Sequence, residues 1–328
     1  MIYFTPITRN AEAIVKQLPS IYPKTGIILS ENQAGSDDTG YLLSGNPLSF
    51  LFFMALQRIG ILKWKCLSGG NHKQSGQIVR DHFTNFNLLD DLSKFKQFDA
   101  EATAFNVIHL DPWRKDRTFD YGLKYTLRGI QKFSELSDNL KFEIGTEYGR
   151  YPMSAKKLEV LLDEVEKAGF KDKIEYVVVQ GREGLNLMDP QPAKERLGYL
   201  AMQIQICKQR GYKTKQHNQD FITEEAFEEK KQLGLDAINI APGLARIDNC
   251  NAYLHMNAFQ RVVAFCKIIA NKSARKWINK DNWTFSIKDY ICAFNHYTSY
   301  KEGPYEVFEA GFIEMYKPLL DIDEKYSN

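Results

Sequence analysis

The chain lacks paired cysteines. Cys66, Cys207, Cys250, Cys266 and Cys292 are scattered through 328 residues with no CxxC spacing, which excludes a thiolate zinc knuckle and the disulfide framework of a small secreted fold. They read as buried thiols in a reducing compartment. Long hydrophobic runs are missing too. The longest, Phe50 to Leu56, ends at Gln57 and Arg58 and falls well short of the roughly 18 apolar residues that cross a membrane. The opening MIYFTPITRN has no basic segment leading into an apolar core, the pattern of a secretory signal, so a cytoplasmic location with no membrane partner is expected. Nor does charge of one sign dominate: 43 basic against 41 acidic side chains leave a net +2, too little to steer the protein to nucleic acid. The expected partner is a small molecule.

What the sequence does contain is alternation. Short apolar runs recur at Ile2 to Thr5, Gly26 to Ser30, Leu62 to Leu67, Phe105 to Leu110, Leu140 to Ile144, Ile174 to Val179, Tyr212 to Gln216 and Ala237 to Ile240. Each is followed by a longer stretch, several with helical spacing, which argues for parallel β-α units. Eight such runs predict an α/β fold, a (β/α)8 TIM barrel. The helical stretches carry their own punctuation. Ser154 precedes AKKLEVLLDEVEKAGF, where Leu158, Leu161, Leu162 and Val165 share a face and Gly169 stands where a helix ends. Thr223 precedes EEAFEEKKQLG, with glutamates in the first turn and lysines in the last, matching the helix dipole. Pro192 to Arg210 is a further helix, and Asn257 to Ala270 reads as the last barrel helix. The expected division is a barrel over 1–271 and a helical C-terminal extension over 272–328, whose aromatics, among them Trp277, Trp283, Tyr290, Phe312 and Tyr316, pack on the barrel or on a second subunit.

Candidate site residues stand where apolar runs break into polar loops. His72, Asp111, Glu147 and His217 do so in LSGGNH, VIHLDPW, FEIGTEYG and TKQHNQD. Four metal-capable or acid/base side chains leaving four strand ends suit a pocket at the carboxyl face of a barrel. Strand alternation puts His109 on the face of Asp111, and Glu143 on the face of Gly145. Gln180 ends a β-branched run, and the turn from Gly181 to Gly184 with Arg182 resembles an anion-binding nest. AINIAPGLAR supplies Asn239, Gly243 and Arg246, at the place where barrels often hold phosphate. Lys213 and Lys215 share a strand face with His217, which also permits Schiff-base chemistry if one is desolvated.

These segments, in order, resemble the tagatose-bisphosphate aldolase accessory-subunit (GatZ/KbaZ-like) family, related to the class II zinc-dependent ketose-bisphosphate aldolases. LSGGNH is similar to its glycine-glycine-aspartate-histidine segment, VIHLD to its HLD segment, FEIGTE to its IGTE segment, VVVQG to its VVQPG run and INIAPGLA to its strand-eight segment; ENQAG resembles its strand-two loop, bringing in Asn32 and Gln33. The resemblance covers about residues 1 to 250. It implies zinc, or another divalent metal, on His72, Glu147 and His217, a set that leaves one position open. It also implies an aldolase-like lyase or an enolising enzyme acting on a sugar or sugar phosphate, with Asp111 or Glu143 moving the proton. One departure stands out: class II aldolases carry a proton-transferring aspartate just before the first zinc histidine, whereas this chain has Asn71 before His72. The alternative is therefore a non-catalytic stabilising subunit of a class II aldolase. The expected assembly is a homo-oligomer or a complex with a partner aldolase subunit.

Overall fold

The computed structural model describes residues 1–4, 21–22, 24–30, 77–83, 89, 106–114, 118–145, 153–180, 194–219, 221–240, 247, 250, 253–270 and 305–327. Eight strands fall among them: β1 Ile2–Phe4, β2 Thr25–Ser30, β3 Ile78–Phe83, β4 Val107–Leu110, β5 Lys141–Gly145, β6 Ile174–Val178, β7 Thr214–Gln216 and β8 Ala237–Ile240. Each pairs in parallel with the next, and β1 pairs with β8, so the sheet closes. Parallel strands are buried on both faces, and the strings IYF, VIHL and AINI are buried at every position.

The two faces alternate residue by residue. Ile2, Phe4, Ile108, Leu110, Phe142, Ile144, Val177, Ile238 and Ile240 join the core shared with the surrounding helices, whereas Tyr3, Ile28, Val79, Val107, Tyr176 and Ala237 form a separate cluster inside the barrel. Along β4, β6 and β8 the inward apolar residue comes first and polar inward positions follow it: His109 after Val107, Gln180 after Tyr176 and Val178, and Asn239 after Ala237. The barrel interior thus has an apolar floor at the amino ends of the strands and a polar top at their carboxyl ends.

The helices are α1 Phe119–Leu136, α2 Ala155–Lys167, α3 Lys194–Gln209, α4 Glu224–Gln232, α5 Ala258–Ala270 and α6 Tyr305–Lys325. Ser154 caps α2 by accepting from the Lys157 amide at 3.3 Å, and Thr223 caps α4 by accepting from Ala226, also at 3.3 Å. Leu158, Leu161, Leu162 and Val165 are the buried stripe of α2. In α1, Gly122 leaves room for the Trp113 indole, since a Cβ there would lie 1.9 Å from the ring.

Two expectations change. The third barrel strand is β3 at Ile78–Phe83, not Leu62 to Leu67, because β3 is the strand that pairs with both β2 and β4. The run at 62 to 67 lies outside the described residues. Helix α6 covers β1: Phe312 and Tyr316 meet Phe4 edge-on, with ring centroids 5.5 and 5.1 Å apart. Its far end is tied to α4 by the buried Lys231–Asp323 ion pair at 2.8 Å and the Lys325–Glu228 pair at 2.5 Å. α5, which follows β8 in the chain, leaves Phe259, Val262 and Val263 exposed. Finally, the thiols are not all buried: Cys207 is, Cys250 is half-buried and Cys266 is exposed. No described helix is long and apolar enough to cross a membrane.

Candidate metal and acid/base site

The polar top of the barrel is built from strand ends. β4 carries His109 and, one residue past its end, Asp111; β5 carries Glu143 in register with His109. β7 carries Lys215, with His217 just beyond, and Gln180 and Asn239 come from the ends of β6 and β8. All seven side chains are buried.

Within this group, one ligand-capable atom each of His109, Glu143 and His217 lies within 4.8 Å of the others. The His109 and His217 rings are 4.6 Å apart, centroid to centroid. His109 Nε2 is 3.3 Å from the Gly145 carbonyl. A carbonyl only accepts, so Nε2 is the donor in this contact. His217 Nε2 donates to Glu143 Oε2 at 3.1 Å. The other carboxylate oxygen, Oε1, accepts from Lys215 Nζ in an ion pair whose two side chains have no exposure at all. Burial alone would raise the Glu143 pKa, but the Lys215 ammonium, then His217 and His109, outweigh it and hold the carboxyl well below the usual carboxylate range. Glu143 is therefore ionised at any working pH and is a poor proton carrier. Lys215 itself sits 3.4 Å from the centroid of the Tyr3 ring and 5.4 Å from that of Tyr176, a cation–π cradle. The cradle is pinned in turn, since Tyr3 Oη donates to Gln77 at 2.5 Å and lies 3.2 Å from Tyr176 Oη. Lys213, on the same strand face, is exposed and paired with Glu175 at 3.0 Å.

An outer layer fixes the loop after β7. Asn218 takes a left-handed backbone, φ 59°, which lets Gln219 fold back. Its amide nitrogen Nε2 donates to the His217 carbonyl at 2.9 Å, its backbone N–H donates to Asn239 at 2.9 Å, and its side-chain oxygen accepts from the buried Lys230 ammonium at 2.5 Å. Gln203 of α3 grips the backbone of Gln180 through bonds of 2.9 and 3.3 Å. Supports of this kind set ring and carboxylate orientation in metal sites. Asn239 Oδ1 is buried with no hydrogen-bond partner in the structure, a group suited to a substrate hydroxyl.

Of the residues singled out from sequence, His109, Asp111, Glu143, Gln180, His217 and Asn239 are described, all at the polar top. Asn32, Gln33, Asn71, His72, Glu147, Arg182, Gly243 and Arg246 lie outside the described residues. The ligand-capable trio shares only His217 with the trio expected from sequence. The relocated third strand matters here as well. Backbone register runs from Arg80 opposite Ile108 to Phe83 opposite Leu110, so two residues of β3, 81 and 82, span the position opposite the single residue 109 of β4. This is a β-bulge, a device that re-aims residues beside active sites. The strand-end position assigned to His72 is thus held by Asp81 and His82. The signal was present in IVRDHF, an apolar start running into an acid-histidine pair, but the more apolar ILKWKCL masked it.

No family model matches the chain, and no curated protein matches it in sequence. Solved structures do. The chain is similar over 99% of its length, and 88% of the other, to fructose-bisphosphate aldolase from Campylobacter jejuni, with 13% identity and a TM-score of 0.56. It is similar over 97% of its length and 87% of the other to a probable tagatose 6-phosphate kinase from Sinorhizobium meliloti, at 18% identity and a TM-score of 0.55. A fructuronate-tagaturonate epimerase from Cohnella laeviribosi matches over 98% and 81%, at 10% identity and a TM-score of 0.55. At such identities the likeness is one of fold.

Proposed function

We propose that the chain is a metal-dependent, aldolase-like carbon–carbon lyase, or a closely related enolising enzyme, acting on a sugar or sugar phosphate. The convergence of His109, Glu143 and His217 at the carboxyl ends of β4, β5 and β7 carries this reading. The donor set fits a divalent ion: two imidazoles and a carboxylate kept ionised by its surroundings. His217 keeps the ligand role expected of it, His109 and Glu143 take the places expected of His72 and Glu147, and zinc is the ion we favour. Once bound, zinc would serve as a Lewis acid toward a substrate carbonyl. Glu143, already ionised, contributes charge and geometry. Asp111, buried two residues beyond His109, is the group we assign to proton transfer, and Asn239 and Gln180 to binding substrate hydroxyls.

An aspartate–histidine pair, Asp81 and His82, stands near the end of β3. A barrel shared with an aldolase and an epimerase suits chemistry that begins at a carbonyl. The complete (β/α)8 alternation, the division into 1–271 and 272–328, and assembly as a homo-oligomer or with a partner aldolase subunit belong to the same proposal.

Elemental analysis of the purified protein and of His109→Ala and His217→Ala tests it. The wild type should hold stoichiometric zinc or another divalent metal and cleave or isomerise ketose phosphates, and each variant should lose both. Variants that keep stoichiometric metal would overturn the assignment.

A further inference from the structure

The candidate metal site already contains a cation. Lys215 has no exposure, its Nζ is bonded to Glu143 Oε1, and aromatic rings lie against it at 3.4 and 5.4 Å. A divalent ion on Glu143, His109 and His217 would share the Glu143 carboxylate with that ammonium in a water-poor interior, where like charges repel strongly. Lys215 has little room to retreat. The Tyr3 ring that receives it is locked by Gln77 at 2.5 Å and Tyr176 at 3.2 Å. Two opposite effects follow from one contact. Without metal, the ammonium neutralises a carboxylate that would otherwise be buried and uncompensated, which is costly. With metal, the same ammonium opposes the incoming charge.

Building on the metal reading above, we propose that Lys215 is an internal competitor for Glu143: it supports the metal-free fold and holds divalent-metal affinity down, so that the ion exchanges with solution instead of being trapped. The pair does not need the lysine to lose its proton; its fixed charge is what matters. The unequal use of the carboxylate supports this. Oε1 belongs to Lys215, while Oε2 faces His217 at 3.1 Å, so the imidazole is the partner an ion could replace and the ammonium the one that stays.

The test is a titration of zinc into the full chain, wild type and variants, by calorimetry and by competition with a chromophoric chelator, together with thermal melts with and without zinc. Lys215→Met should bind zinc about tenfold tighter or more, melt lower than wild type without metal, and gain more in melting temperature when zinc is added. Lys215→Arg keeps the charge and should bind within a few-fold of wild type. If Lys215→Met does not fold without metal, Lys215→Gln, which keeps a donor but no charge, is read in its place with the same expectation. A wild type that binds zinc alongside neutral variants that bind equally or more weakly overturns the competitor role while leaving the metal reading intact. Wild type and variants that all fail to bind overturn the metal reading itself, and the competitor role with it.

Discussion

Glu143 is the residue whose surroundings say most about the site. A carboxylate with no exposure survives in a protein only when paired, and here both its oxygens are engaged, by Lys215 and His217. The consequence for stability has a definite sign. Its folded-state pKa lies below the ordinary value of 4.5, so its contribution is fully present above that value and is lost as pH falls toward the depressed folded one. Replacing Glu143 with Gln removes the carboxylate that pairs with the buried Lys215 ammonium and should cost about 3–5 kcal/mol. Urea denaturation with a chelator present checks this. The difference from wild type should be constant above about pH 4.5 and shrink below it; a difference that grows in acid would mean that the pair is not formed. His217 and Asp111 could be picked out from sequence because strand ends are marked by polar breaks. The partnership of His109 with Glu143 could not, because it depends on the register between β4 and β5, which no single strand encodes.

At the scale of elements, the misread strand shows where sequence patterns weaken. A parallel barrel strand is expected to be apolar throughout, yet strands that supply a site must carry polar residues at their carboxyl ends. β3 reads IVRDHF, and its polar second half made it look like a loop beside ILKWKCL. Helices α2 and α4 were legible because their caps and buried stripes are local. The seating of α6 was not, since it depends on contacts between segments distant in sequence: Phe4 with Tyr316, and Lys231 with Asp323. That second contact gives a test at this scale. Lys231 and Asp323 are 4% and 2% exposed, and the same carboxylate oxygen also pairs with the Met1 amino group at 2.8 Å, so Asp323→Ala breaks both ion pairs and should destabilise by about 3 kcal/mol or more. Asp321, one turn's reach from Lys317 on the same helix but in water, should be replaceable by Ala without measurable change. Chemical denaturation of the two variants distinguishes them, and equal, small effects would mean that α6 is not held through Asp323.

Among the described residues, the closed sheet separates an apolar half from a polar one. The apolar floor and outer core bury the large side chains, and the strand carboxyl ends gather ionisable ones, which is why strand-end candidates could be read from the sequence while the contacts between them could not. The outer core is continuous: Ile2 and Phe4 of β1, Leu200 and Cys207 of α3 and Phe312 of α6 belong to one cluster. Such a core should open as a unit, and Cys207 can report on it. Burial pushes its thiol up to about 12, so at neutral pH almost none is present as the reactive thiolate, and reagent reaches it only when α3 comes away. Cys266 on α5 is exposed and needs no opening. Mass spectrometry after alkylation of the native protein should find Cys266 modified promptly and Cys207 protected. Labelling of Cys207 should then rise with urea in step with the loss of helical circular dichroism, and faster in Asp323→Ala than in wild type. Labelling of Cys207 at the rate of Cys266 while the helical signal stays intact would show that α3 opens independently, and that the outer core is less continuous than its packing implies.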